Sequence, residues 1–181
     1  MVENYVDTSR QSGTAAERLR PLILSAVLIV MDQITKALIV RFIPMHTIGA
    51  SYWNGFLRII HTRNLAIAFS LGRSLPGNVR SVLFIILPLV LLVFLVIYFV
   101  RSRDLTVLQR WAVAGIIGGG FGNLIDRIFR PAGVVDFIDV RFYGLFGLER
   151  WPTFNVADSS VVVAGILLII SFLIEKGEDH E

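Results

Sequence analysis

The chain contains no cysteine. Disulfides, thiolate metal sites and a cysteine nucleophile are therefore excluded, and the chain cannot itself carry a cysteine-linked lipid. Histidine is nearly as scarce. His46, His61 and His180 share no ligand spacing, which argues against a metal site, and His46 and His61 read as surface residues. Charge is also thin: Asp, Glu, Lys and Arg make up 17% of the chain, where a soluble domain carries about 25%. The net charge of +3 is too small and too scattered to point to nucleic acid, although its basic sign suits an anionic membrane surface. No Gly-x-Ser-x-Gly elbow occurs, and Ser159 and Ser160 have no matching base in sequence, so a serine mechanism is disfavoured. The run Gly118-Gly119-Gly120-Phe121-Gly122 fits neither the dinucleotide nor the Walker spacing. Nothing in the sequence calls for a cofactor.

What the chain has in abundance is apolar residues. They make up 55% of its 181 residues, the mean hydropathy is +0.70, and they are clustered. The expected fold is an all-α membrane protein, with four transmembrane helices and a small extracytoplasmic β-sheet. The spans fall at about 22–42, 82–100, 107–126 and 156–174, each close to the ~20 residues that cross ~30 Å of hydrocarbon. The first is too long for a signal-peptide core, contains Asp32 and Lys36, and is followed by no small-residue cleavage site, so it reads as a retained helix. Residues 1–181 form one membrane-embedded domain, with 1–20 as a polar tail and connections at 43–80 and 127–155. Arg10, Arg18 and Arg20 precede the first span, and Arg101, Arg103 and Arg110 mark the short link between the second and third. By the positive-inside rule both termini are cytoplasmic and the two long connections lie outside. Within those connections Trp53–Ile60, Asn64–Leu71 and Val134–Phe142 read as short strands. Trp53 and Trp151 suit an interfacial belt.

The intramembrane polar groups share one level. Asp32 and Lys36 lie in the outer half of the first span, Asn123, Asp126 and Arg127 at the outer end of the third, and Asp158 at the start of the fourth. An ionisable side chain in hydrocarbon costs about 2.5–3.5 kcal/mol on the lenient insertion scales and marks a functional site by default. Each also has a structural reading. Asp158 falls at N3 of a helix capped by Asn155, where a carboxylate is favoured. Asp32 and Lys36, four apart with the acid first, suit a helix ion pair. Arg127 either satisfies helix-end carbonyls or pairs with a carboxylate. The spacings Gly115-xxx-Gly119 and Gly118-xxx-Gly122 suit close helix packing.

The strand at 134–142 separates two aspartates. Residues two apart share a face, so Asp139 shares its face with Arg141, a ready partner. Asp136 shares its face with Ile138 and Val140 and is left to meet Asp158. Two carboxylates in a low-dielectric site share a proton, and such a pair can perform proteolysis. A transporter path would have to cross the bilayer, whereas the inner halves of these spans are almost wholly apolar.

Five blocks, in order, resemble the signal peptidase II family, the prolipoprotein signal peptidases of bacteria. They are Asp32-Gln33-Ile34-Thr35-Lys36, Arg63 to Ser70, Gly122-Asn123-Leu124-Ile125-Asp126-Arg127, Val135-Asp136-Phe137-Ile138 and Phe154-Asn155-Val156-Ala157-Asp158-Ser159. The resemblance implies a membrane aspartyl endopeptidase, with no cofactor, that cuts a signal peptide just before a diacylglyceryl-modified cysteine. It implies Asp136 and Asp158 as the catalytic pair. Asp32, Lys36, Asn64, Asn123, Arg127, Asn155 and Ala157 match positions that shape the site or hold substrate, and Asp126 is expected to give structural support. The partners implied are a diacylglyceryl prolipoprotein, membrane lipids and the cyclic peptide inhibitor globomycin. The expected location is the bacterial inner membrane, with the site near its outer face and the protein a monomer. The second block departs from the family's usual Asn-Thr-Gly-Ala-Ala-Phe: Leu65 and Ala66 stand where Thr and Gly are usual, and a positive φ at that glycine position would sit badly with Ala66.

Overall fold

The computed structural model describes residues 14–64, 76, 79 and 81–178. The first described element is a short helix, α1 (Ala15–Leu19), which runs into α2 (Leu22–Phe42). A hairpin follows, β1 (Ile48–Tyr52) and β2 (Leu57–Asn64). Next comes one π-helical stretch, Val82–Ile86, continuing as α3 (Leu87–Arg101). Then come α4 (Val107–Phe129), β3 (Val134–Val140) and α5 (Val156–Glu178). Four of these helical segments are long and apolar enough to cross a membrane: Ala15–Phe42, Val82–Arg101, Val107–Phe129 and Val156–Glu175. The chain is a helical multi-pass membrane protein, and its described residues include a three-stranded antiparallel sheet.

The bundle is built around α4. In the most apolar window of α4 61% of residues are buried, against 17% in each of the other three spans, whose large apolar side chains face outward. Lipid is as apolar as those side chains, so the helices cannot be held by hydrophobic burial alone; close backbone approach must supply the packing. The glycines of α4 do this in three directions. A Cβ on Gly115 would meet Ala164 of α5 at 2.8 Å, and one on Gly119 would run into Ser160 and the Ala157 carbonyl. A Cβ on Gly118 would meet Ser25 and Leu28 of α2 at 3.0 Å, and one on Gly120 would reach Leu92 of α3 at 2.5 Å. Ser25 adds a buried hydrogen bond, Oγ donating to the Ala114 carbonyl at 2.6 Å. The π turn before α3 has a local cause. Pro88 has no N–H to donate back along the helix, and the wider turn closes instead on Leu87 N–H to the Val82 carbonyl.

The sheet stands at one end of the bundle in the order β1-β2-β3. Its hairpin turns through Trp53, Asn54 and Gly55, all at positive φ. The strand expected over 53–60 therefore begins only at Leu57, and Trp53–Phe56 is the turn. Strand β1, rich in small residues of low strand propensity, carried no sequence signal. Of the strand expected at Asn64–Leu71, Asn64 ends β2 and residues 65–71, with the Ala66 position, lie outside the described residues. The third strand ends at Val140, two residues short of the expected 142. Its free edge is taken by Phe154, which bridges Ile138 through Phe154 N–H to the Ile138 carbonyl at 3.0 Å and Ile138 N–H to the Phe154 carbonyl at 2.8 Å. Because Phe154 immediately precedes Asn155, the residue before α5, this bridge fixes the first turn of that helix beside β3. Ile39, Val135 and Phe137 form the apolar plug between sheet and bundle.

Replacing Gly119 by Leu should overpack the α4–α5 seam at a cost of about 1–3 kcal/mol. Thermal unfolding in detergent should read this as a loss of about 2–4 °C per kcal/mol, and an unchanged midpoint would show that the seam is slack.

Candidate active site

Asn155 is the N-cap of α5 and Asp158 its N3 residue. The two form a reciprocal cap: Asn155 Oδ1 accepts from the Asp158 N–H at 2.9 Å, and Asp158 Oδ2 accepts from the Asn155 N–H at 3.1 Å. This leaves the side-chain amide nitrogen of Asn155 pointing at β3. It donates to Asp136 Oδ1 at 2.8 Å, with the Val135 carbonyl at 3.3 Å and Asn123 Oδ1 at 3.1 Å also in reach. One asparagine therefore touches both aspartates. Asn123 of α4 closes the ring, donating to Asp158 Oδ1 at 2.7 Å. Asn64 donates to the outer oxygen of Asp136, Oδ2, at 3.2 Å. The helix-cap and functional readings of Asp158 do not compete, since the cap is what sets the carboxylate in place.

Both aspartates are held by amides, and neither forms an ion pair among the described residues. Asp136 is 3% exposed. Burial pushes its carboxyl up to about 7, the neighbouring Asp158 charge pushes the same way, and the Asn64 and Asn155 hydrogen bonds and the Lys36 charge only partly offset them. Arg127 lies within electrostatic reach of Asp158, Asp136 and Asp126 but makes no direct ion pair. Among the described residues no carboxylate contacts it directly. Asp158 is held by Asn123 and Asn155, and Asp126 by Lys36, Arg130 and the Val135 N–H.

Beneath the pair lies a second, fully enclosed layer. Lys36 and Asp32 are both wholly buried and meet at 2.8 Å; Lys36 also reaches Asp126 at 3.3 Å and donates to Asn123 Oδ1 at 2.9 Å. This is no helix-surface pair. Asp32 Oδ1 accepts the Ala157 N–H at 3.0 Å, so Ala157 contributes its backbone at the N-terminus of α5. A Cβ on Gly122 would meet Asp32 at 2.8 Å, which explains a glycine there. Asp126 ties the end of α4 to β3, accepting from Arg130 at 2.9 Å and from the Val135 N–H at 3.0 Å. Sequence reasoning missed two members. Gln33 donates to Asp32, Asp126 and the Gly122 carbonyl, and Arg130 follows Asp126 by four residues. The four-residue spacing of Asp126 and Arg130 was the available signal.

Asp139 is neutralised, as its separation from Asp136 suggested, but by other residues. Arg58, directly opposite on β2, meets it at 2.7 Å and Arg150 at 2.6 Å. Arg141 instead pairs with Glu149 at 2.8 Å and lies over the Tyr143 ring. The strand ends before Arg141, so same-face parity does not carry that far. His61 is also corrected: it is buried, with Nδ1 at 2.8 Å from the Ile43 carbonyl and Nε2 accepting from Arg63.

An open groove of about 390 Å³ runs between α3, α4 and α5. Leu91, Leu92, Ile116, Val161 and Val162 make its apolar walls, and Asn123, Arg127 and Asp158 lie along it. An apolar, chain-like ligand entering from the bilayer would meet a carboxylate there.

Comparison with known proteins gives a consistent result. The family model described as signal peptidase (SPase) II matches residues 24–174. The lipoprotein signal peptidase of Treponema pallidum is 45% identical over 162 residues, covering 90% of this chain and 87% of that protein. Its counterpart in Treponema denticola is 44% identical over 155 residues, covering 86% and 89%. A bacterial membrane enzyme solved by the in meso method at 2.3 Å superposes with a TM-score of 0.74 at 29% identity, over 88% of this chain and 90% of that one.

Two stability experiments follow from this geometry. Lys36→Met would leave Asp32 and Asp126 buried without their shared cation; a loss of about 3–5 kcal/mol is expected, read as loss of folded protein in thermal denaturation. For Asp136 the folded state holds a proton more tightly than the unfolded chain. Its contribution to stability is therefore complete below 3.8 and is lost as pH rises through about 7. Asp136→Asn should gain stability relative to the parent as pH rises from 3.8 to about 7, and no further above that. A pH-independent difference would place that carboxyl in water.

Proposed function

The chain belongs to the signal peptidase II family, a family of aspartic peptidases that process lipoproteins, and we propose that it removes the signal peptide from prolipoproteins through a water molecule activated between Asp136 and Asp158. The observation that carries this reading is the sharing of one asparagine, Asn155, by two carboxyl groups that no cation neutralises directly. Asp136, buried and raised to about 7, holds the pair's proton; Asp158, with amide donors on both oxygens, is the base. In the forward step Asp158 takes a proton from water, the water oxygen attacks the scissile carbonyl carbon, and Asp136 gives its proton to the carbonyl oxygen. Collapse of the tetrahedral diol breaks the C–N bond: Asp158 gives its proton to the leaving amine, and Asp136 takes one back from a diol hydroxyl, which restores the pair. Arg127 offsets charge on the pair without binding either member. Asn64, Asn123 and Asn155 fix the carboxyl orientations; Asp32, Lys36, Asp126 and the Ala157 N–H hold the helix ends that carry them.

The bond cleaved is the one on the N-terminal side of a diacylglyceryl-modified cysteine. Such a substrate keeps its acyl chains in the bilayer, which fixes the scissile bond near headgroup depth. The groove beside Asp158 offers apolar walls at that place. Globomycin, a cyclic peptide, occupies the same carboxyl pair. The enzyme is a monomer in the bacterial inner membrane among its lipids. Its termini are cytoplasmic and its sheet end faces outward, the orientation favoured by the arginines at 18, 20, 101, 103 and 110.

Cleavage of a diacylglyceryl prolipoprotein by the purified protein, with and without globomycin, tests the reading. Asp136→Asn and Asp158→Asn should each lower the rate on the order of 10²–10⁴-fold while leaving a folded protein. Asp139→Asn should retain most activity per folded molecule. The rate should fall as pH rises past about 7, where Asp136 loses its proton and the pair can no longer share one. If Asp139→Asn is inactive and Asp136→Asn is active, the pair has been misassigned.

A further inference from the structure

Strand β2 contains one extra residue. Between Ile59 and Thr62 it advances three positions while β3 advances two, from Ile138 to Asp136. Bulges of this kind re-aim side chains and recur beside active sites. Without the extra residue His61 would stand opposite Asp136, and Asn64 would fall on the other face of the strand. With it, Thr62 stands opposite Asp136. Asn64, two residues on, shares that face and donates to Asp136 Oδ2 at 3.2 Å. The bulge is therefore what brings Asn64 to the carboxyl pair.

His61 lies within this bulge and is 4% exposed. Its backbone is tied to the segment before β1: the His61 N–H donates to the Thr47 carbonyl at 3.2 Å, and the His46 N–H donates to the His61 carbonyl at 2.7 Å. Its ring links two further parts of the fold. Nδ1 lies 2.8 Å from the carbonyl of Ile43, the cap residue of α2, and Nε2 lies 3.1 Å from Arg63 Nε. A carbonyl only accepts and a guanidinium only donates, so one state of the ring fits: neutral, with its proton on Nδ1 and Nε2 bare. Arg63 also donates through Nη1 to the Gly133 carbonyl at 3.3 Å, in the turn that leads into β3. The series Ile43, His61, Arg63, Gly133 thus joins the end of α2, the bulge and the start of β3. Packing would accept any ring of this size. Donating to Ile43 and accepting from Arg63 at once calls for an imidazole.

We propose that His61 is a positioning residue for the carboxyl pair: through Arg63 it holds the bulge in β2 that sets Asn64 against Asp136. This role rests on the reading of Asp136 as catalytic. His61 acts at one remove, through the strand that carries Arg63 and Asn64, and takes no part in proton transfer.

Two substitutions separate the links of the ring. His61→Gln can set an oxygen near the place of Nε2 and keep the Arg63 bond. His61→Asn can set an amide N–H near the place of Nδ1 and keep only the Ile43 bond. The test is cleavage of a diacylglyceryl prolipoprotein by the full-length variants in detergent, with folding checked by the thermal midpoint. His61→Asn should lower kcat by up to about 10²-fold, the cost of a ~1 Å misplacement, and leave KM unchanged. Its loss of rate at high pH should move to higher pH, because the Asn64 hydrogen bond that holds the Asp136 carboxyl lower would be lost. His61→Gln should restore both. Arg63→Met cuts the same link from its half-buried side and should reproduce His61→Asn, which keeps the test decisive if His61→Asn does not fold. With Asp136→Asn inactive, a folded His61→Asn or Arg63→Met with parental kcat and pH profile overturns the proposal, and so do equal losses in His61→Gln and His61→Asn. An active Asp136→Asn would instead overturn the catalytic reading, and this role with it.

Discussion

The site depends on how one helix begins. Asn155 ends an extended segment whose Phe154 is bridged to β3, and it starts α5. Any helix start leaves backbone N–H groups unpaired, and an asparagine N-cap with an acid at N3 is a common way to satisfy two of them. Here the same two residues also do the positioning. The cap fixes Asp158, and because the cap uses only the oxygen and backbone N–H of Asn155, its amide nitrogen remains free to hold Asp136. Local helix chemistry and the meeting of two distant carboxyl groups are thus set by one side chain. Moving Asn155 by a single position would lose both.

A cap can hold a carboxylate only if the helix end is itself immobile. In hydrocarbon, small residues and satisfied polar groups must provide that rigidity. The α4 glycines bring α5 close enough for the Ala157 N–H to reach Asp32 on α2. That bond connects the first turn of α5 to the enclosed Asp32–Lys36–Asp126 cluster, and Asp126 in turn holds the backbone of β3 one residue before Asp136. Both aspartates are therefore referred to the same rigid layer, one through Ala157 and the other through Val135. The polar layer is structural in its energetics and functional in its consequence.

This explains what was legible in the sequence. Four apolar runs, Asn155 as a cap and the separate environments of Asp136 and Asp139 could all be read from local periodicity and spacing, because their causes are local. The strand β1 could not: Gly49, Ala50 and Ser51 have little strand preference, and pairing with β2 forms it. Nor could the partners of Asp139, since Arg58 and Arg150 reach it across strand and bridge, not along the strand. Gln33 was hidden for a similar reason. Its three acceptors lie on two helices, and only their approach at Gly122 gives the amide its role. Burial of His61 depends on the Ile43 carbonyl, which the chain reaches only after the hairpin has turned back on α2.

Charge balance adds the last constraint on the carboxyl pair. The lower layer contains two acids, Asp32 and Asp126, and two cations, Lys36 and Arg130, so its formal charges balance. Asp139 is outnumbered by Arg58 and Arg150, which both contact it. The group formed by Asp136, Asp158 and Arg127 is different: two acids share one nearby cation, which stops short of contact with either. In a low-dielectric site the cheapest way to remove the remaining negative charge is one proton on the pair. Among the described residues, those two are the carboxyl groups at this end of the bundle that no cation contacts. A single shared proton is also the state from which one carboxyl can act as base while the other acts as acid.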